Sequence, residues 1–161
     1  MEVRVADRQR RLTVTSRALK KLATIALAEH EDGAGDYDLV GIALVTDAEM
    51  RTLNRAYRRL DRTTDVLSFD LRAVQSPGEP RSGEIVISTD RVVVQARRYR
   101  TTPERELARL LVHGVLHLCG HDHQRPAERA RMRARERAAL SAALAARVTP
   151  ALIARRGVRP A

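Results

Sequence analysis

The chain has 161 residues, 30 basic against 20 acidic, and a formal net charge of +10 that is almost wholly arginine, since only Lys20 and Lys21 are lysine. That length, with 43% hydrophobic residues, fits one folded domain with a real core rather than a disordered chain. A single cysteine, Cys119, excludes an internal disulfide, and neither a signal-peptide apolar region nor a bilayer-length apolar run is present, so a cytoplasmic enzyme or nucleic-acid binder is expected.

Val3 and Val5 alternate as in a short opening strand. Ser16 is placed to cap a helix with an apolar face of Leu19, Leu22, Ala23 and Ala26, ended by the turn Asp32-Gly33-Ala34-Gly35. Leu39 to Val45 is almost continuously apolar, which suits a strand buried on both faces. Thr46, with Glu49 three residues on, has the form of a capping box and opens a helix with Met50, Leu53 and Tyr57 on one side. Val66 to Phe69 reads as a strand, and residues 72–83, with Pro77, Gly78, Pro80 and Gly83, as the longest loop. Glu84 to Ser88 is a further strand, followed by a helix from about Asp90 to Arg100.

Thr102-Pro103-Glu104 combines a cap residue, a proline at the first helical position and an acid in the first turn. The core face of that helix is Leu107, Leu110, Leu111, Gly114 and Leu118. Pro126 opens a last helix to about Arg147, and residues 150–161 are expected to form a flexible tail. Without an internal repeat or a linker, residues 1–161 read as one α+β domain around a small mixed sheet.

Four of the five histidines fall between His113 and His123. His113 and His117 are four apart on the predicted helix, so their rings project from the same side, beside the apolar stripe. Gly120 is placed to end the helix in a left-handed turn and to fold the chain back so that His123 supplies a third nitrogen. His121 would share the stripe only if the helix ran through Gly120, and is expected instead behind the ligands or exposed; Asp122 orients a ligand, holds a proton or is solvated. Three imidazoles without a cysteine cluster favour one zinc ion with an open fourth position.

His113, His117, Gly120 and His123 match the zinc-peptidase pattern H-E-x-x-H-x-x-G-x-x-H, except that Gly114 stands where those enzymes carry the glutamate general base. A metal site without that carboxylate points away from amide hydrolysis. A phosphodiester substrate suits it better, since arginine clamps phosphoryl oxygens bidentately, and Asn54-Arg55-Ala56-Tyr57-Arg58-Arg59 holds the candidates. The four aromatics, Tyr37, Tyr57, Phe69 and Tyr99, are few for a module that reads single strands by base stacking alone.

Leu53-Asn54-Arg55-Ala56-Tyr57-Arg58, Thr64-Asp65-Val66-Leu67-Ser68-Phe69, Gly83-Glu84-Ile85 and the whole of His113 to His123 together resemble the YbeY family of bacterial endoribonucleases and ribosomal RNA maturation factors. The resemblance runs from about residue 39 to Glu136. It implies a small mixed four-stranded sheet packed with about five helices and a metal cleft at the sheet's edge. The implied activity is a zinc-dependent, single-strand-directed endoribonuclease acting in 16S ribosomal RNA 3′ end maturation and ribosome quality control. It implies His113, His117 and His123 as zinc ligands, Arg58 as the phosphate-binding or catalytic arginine, and a catalytic part for His113 as well. The implied partners are ribosomal RNA and the small ribosomal subunit, with ribosomal proteins or an assembly GTPase as further candidates; neither membrane nor DNA is expected.

Three positions depart from the family pattern. Thr63 replaces a common proline before T-D, His121 replaces an aromatic, and the last helix, usually acidic, carries Arg125, Arg129, Arg131, Arg133, Arg135 and Arg137 against Glu128 and Glu136. From Gln124 to Ala161 there are ten arginines and two acids, so most of the net charge follows the histidine motif directly. Two other readings stand beside the nuclease: an RNA-binding ribosome-assembly factor with a structural metal, and a zinc metallopeptidase.

Overall fold

The computed structural model describes residues 1–29, 37–121 and 125–158. Its main sheet has four strands in the order β1-β3-β5-β4. β1 (Glu2–Asp7), β3 (Leu39–Val45) and β5 (Ser82–Ser88) run parallel, and β4 (Val66–Asp70) closes one edge antiparallel to β5. Five helices surround it: α1 (Ser16–Ala28), α2 (Asp47–Arg58), α3 (Thr89–Arg98), α4 (Pro103–Leu118) and α5 (Pro126–Ala145). The mixed four-stranded sheet with five helices is the expected architecture. Among the described residues no helix is long and apolar enough to cross a membrane.

The period-two rule explains how the sheet is covered on both faces. Val40, Ile42 and Leu44 of β3 and Ile85 and Ile87 of β5 join the main core with α1 and α4. Ala43 and Val45, with Val86, turn the other way onto Met50 of α2 and Leu67 of β4. α4 is the central helix: it packs on α1, α3, α5 and β4, and most of its length is buried. Each leucine or isoleucine enclosed this way contributes about 1.5–3 kcal/mol, so the helix that carries the histidine motif is also the best-anchored one.

Local chemistry sets the helix ends. The Thr102 hydroxyl accepts the Arg105 N–H at 3.3 Å at the start of α4, as its sequence predicts. Thr46 likewise accepts the Glu49 N–H at 3.3 Å, but the reciprocal half of the expected capping box is diverted, because the Glu49 carboxylate pairs with Arg8 at 2.9 Å. Ser16 is not a cap: it is the first residue of α1, Thr15 holds the N-cap position, and the Thr15 side chain makes no capping bond. The turn expected at Asp32-Gly33-Ala34-Gly35 lies outside the described residues.

Between Pro150 and Val158 the chain differs from expectation. After a 3-10 turn at Thr149–Ala151, Ile153–Val158 forms β6, which pairs antiparallel with β2 (Leu12–Val14). Leu152 and Ile153 are buried, so two apolar side chains at the start of the β2–β6 pair hold this segment down where composition suggested a frayed end.

Candidate metal centre and nucleic-acid cleft

α4 delivers two histidines to the sheet edge and then stops. Gly120 has φ +82, its N–H donates to the His117 carbonyl at 3.0 Å, and the His121 N–H donates to the Leu116 carbonyl at 3.0 Å. This pair of bonds is the Schellman ending that glycine allows, so the helix breaks at Gly120 as expected. The buried Tyr37 hydroxyl donates to the Leu118 carbonyl at 2.8 Å and ties the same helix end to the start of β3.

His113 and His117 stand one turn apart with ring centroids 4.6 Å apart, and their Nε2 atoms are separated by 3.1 Å. Two imidazoles bound tetrahedrally to one zinc at about 2.0–2.1 Å would hold their nitrogens about 3.3 Å apart, so this donor pair fits such an ion. Behind His113, the Glu136 carboxylate of α5 accepts from Nδ1 at 2.6 Å. That bond fixes the proton on Nδ1 and leaves the Nε2 lone pair facing the cleft. The hydrogen bond from His113 holds the Glu136 carboxyl below the usual carboxylate range, against the opposing effect of burial. His123, the third predicted donor, and Asp122 lie outside the described residues.

The facing wall comes from β4 and the end of α2. A cleft of about 700 Å³ is lined by Tyr57, Arg58, Thr64 to Asp70, His113, His117 and Leu118. Of the arginines in the 54–59 stretch, only Arg58 lines it; Arg55 borders a separate depression with Arg51 and Asp61. Arg58 is the last residue of α2, and Arg59 follows in the left-handed region at φ 58, which ends the helix there. Tyr57 and Phe69 meet edge to face at 5.0 Å within the wall, so two of the four aromatics border the cleft and an aromatic surface for a base is present after all.

Other residues of the shared motifs brace this geometry. The Ser68 hydroxyl donates to the Gly114 carbonyl at 3.0 Å and fastens β4 to α4. Asp65 accepts the Val66 N–H at 2.8 Å and the Gln95 amide at 3.1 Å. The buried Asn54 donates to the Arg62 carbonyl at 2.8 Å and holds the loop after α2. Thr63, where the family often has proline, donates to Asp47 at 3.0 Å; a side-chain bond steadies that turn where a ring would have.

Gly114 has a steric reason. A Cβ there would lie 2.7 Å from Ile85 Cγ2 and 3.2 Å from Ser68 Oγ. The close approach of α4 to the sheet occupies the position where a zinc peptidase carries its glutamate, so that general base cannot be accommodated in this packing.

Sequence reading thus anticipated His113, His117 and Arg58, which one cleft brings together, and gave no role to Glu136. A signal was present: Met132 and Glu136 share a face four residues apart, and Glu136 is the one acid between Arg129 and Ala145. Which face meets His113 depends on how α5 packs, which spacing does not show.

Comparison with known proteins agrees with this frame. Residues 4–143 match the family model described as Endoribonuclease YbeY. A Chloroflexus aurantiacus protein named Endoribonuclease YbeY is 47% identical over 128 residues, 75% of this chain and 82% of that protein. One from a Roseiflexus species is 48% identical over 122 residues, 71% of this chain and 76% of its own. The solution structure of a Thermotoga maritima protein superposes with a TM-score of 0.61 at 28% identity, covering 93% of this chain and 95% of that one. With most of its length matched and the cleft built from the shared motifs, the chain belongs to the endoribonuclease YbeY family.

Proposed function

We propose that this protein is a single-strand-specific endoribonuclease that uses one zinc ion held by His113, His117 and His123, and that it acts in 16S ribosomal RNA 3′ end maturation and ribosome quality control in the cytoplasm. The observation that carries the reading is the pair of imidazole Nε2 atoms 3.1 Å apart in a cleft that Arg58 also lines. Zinc bound there supplies Lewis-acid polarisation of a phosphoryl oxygen and a lowered pKa for water. The chain's own residues do the rest. Arg58 binds the non-bridging phosphate oxygens in a bidentate fork and stabilises charge that develops on them. Glu136 keeps His113 in the tautomer whose Nε2 can ligate. Tyr57 and Phe69 offer an edge on which an unstacked base can rest, which accounts for a preference for single strands.

The 2′-hydroxyl of the RNA and a water molecule are both available nucleophiles; a 2′,3′-cyclic phosphate end would identify the first. Ribosomal RNA on the small subunit is the proposed substrate, with ribosomal proteins or an assembly GTPase as delivering partners. The peptidase reading loses its support at Gly114. Metal analysis joined to cleavage of single-stranded RNA tests the proposal. Cleavage is expected to need zinc, to cease with His117→Ala through loss of bound metal, and to cease with Arg58→Glu while metal is retained. Cleavage by metal-free protein overturns it, and normal ribosomal RNA maturation by a folded His117→Ala protein favours the assembly-factor reading instead.

A further inference from the structure

The aromatic pair that walls the cleft has a second side. Tyr57 and Phe69 also line a cavity of about 170 Å³ on the sheet face turned away from the main core. Its apolar lining includes Ala43 and Val45 of β3, Val86 of β5 and Leu53 of α2. Pockets for drug-sized ligands run to about 300–1,000 Å³, so this one suits a single flat ring system rather than a whole nucleotide. Apolar and aromatic walls of this kind replace the stacking that a base gives up when it leaves its neighbours.

A carboxylate borders this apolar cavity. Glu84 alternates along β5 with Ile85 and Ile87, which enter the main core, and so shares the opposite face with Val86. It lies opposite Phe69 on β4 and opposite Gly41 on β3, where an added Cβ would meet its Cγ at 3.5 Å. Glu84 is half-buried, and among the described residues no hydrogen bond or ion pair engages its carboxylate. Arg8, which borders the same cavity, is bonded to Glu49 at 2.9 Å instead. An ionised carboxylate is acceptor-only, and two open oxygens on an apolar face favour a ligand edge with paired N–H donors.

We propose that this cavity takes the base of a nucleotide flanking the phosphate held beside Arg58, and that Glu84 selects guanine there. Guanine presents its N1–H and 2-amino group as two parallel donors that match two carboxylate oxygens, whereas uracil presents one N–H between two carbonyl oxygens. Arg58 follows Tyr57 directly in α2, so a strand gripped at Arg58 has the aromatic pair between its phosphate and the cavity. The pocket rests on the nuclease reading above and adds a base preference to it. The edge that Glu84 reads is the one that pairs in a duplex, so the pocket is open only to an unpaired base.

The test uses zinc-loaded full-length protein and single-stranded oligoadenylates that carry one guanosine, or one inosine lacking only the 2-amino group, at successive positions. Cleavage sites are mapped and kcat/KM is read at each. In the wild type, a bond flanking guanosine is expected to be cleaved at least about fivefold faster than the same bond beside inosine, the low end for a bidentate base contact. In Glu84→Gln, whose amide replaces one acceptor oxygen with a donor, the advantage of guanosine over inosine disappears. Wild-type protein that cleaves both RNAs alike overturns the pocket and leaves the nuclease reading standing. So does Glu84→Gln protein that keeps the guanosine preference, which would leave Glu84 for contact with a protein partner. Wild-type protein that cleaves none of these RNAs overturns the nuclease reading and the pocket with it.

Discussion

Glu136 and Gly114 show how much single residues decide in this molecule. Glu136→Gln keeps the shape but replaces a charge-assisted 2.6 Å bond to His113 with a neutral one. Carboxylates behind ligating histidines typically contribute 10–100-fold in metal affinity. The variant is therefore expected to bind zinc about 10–100-fold more weakly in a competitive chelator titration, with an unchanged circular dichroism spectrum. Gly114→Ala is expected to act on the fold first. It gains about 1 kcal/mol in helix propensity, but it drives a methyl group to 2.7 Å from Ile85 Cγ2, and overpacking costs about 1–3 kcal/mol. Ile85 is fully buried in a central strand and cannot step aside, so the urea midpoint is expected to fall. Affinity for the proposed zinc ion is expected to fall with it, because the helix that must move carries both histidines.

At the scale of elements, α4 was legible in detail. Its Thr102-Pro103-Glu104 start, its leucine stripe and its glycine ending are all local signals, and each is found where the spacing put it. β3 was legible for the same reason, as an almost continuous apolar run, and the structure places it between two parallel neighbours. The β2–β6 pair was not. Leu12–Val14 is too short to show alternation, and its partner lies near the other end of the sequence, so pairing is visible only once the chain has closed. The consequence is measurable. Leu152 is completely buried at the approach to β6, and Leu152→Ala is expected to destabilise the protein by about 2–5 kcal/mol in urea unfolding, whereas a frayed tail would tolerate it.

Across the whole molecule, Asp47 joins elements that are distant in sequence. It accepts from Ser88 at the end of β5, Arg91 of α3 and Thr63 in the loop before β4, while its own backbone N–H donates to Asp90. Burial opposes its ionisation, but the hydrogen bonds from Arg91, Ser88 and Thr63 outweigh that and hold its carboxyl below the usual 3.8. A depressed carboxylate stabilises the fold above the unfolded-state pKa and loses that contribution as pH falls through the folded-state value. Asp47→Asn is therefore expected to lower stability by about 1–3 kcal/mol at pH 7. The Tm gap to wild type should then close as pH drops below about 4. A gap that stays constant with pH would mean that the charge is not what matters.

The same division runs through the site. The i, i+4 histidines, the helix stop at Gly120, the candidate arginine stretch and the strand motif Thr64 to Phe69 are all visible in the chain itself, because each depends on spacing within one element. Folding decided which arginine faces the histidines, since the left-handed Arg59 ends α2 and only Arg58 of that stretch reaches the cleft. It also brought Glu136 to His113 across 23 residues and made Gly114 a steric requirement rather than a missing base. These last features are contacts between elements, and no periodicity within either element encodes which faces will meet.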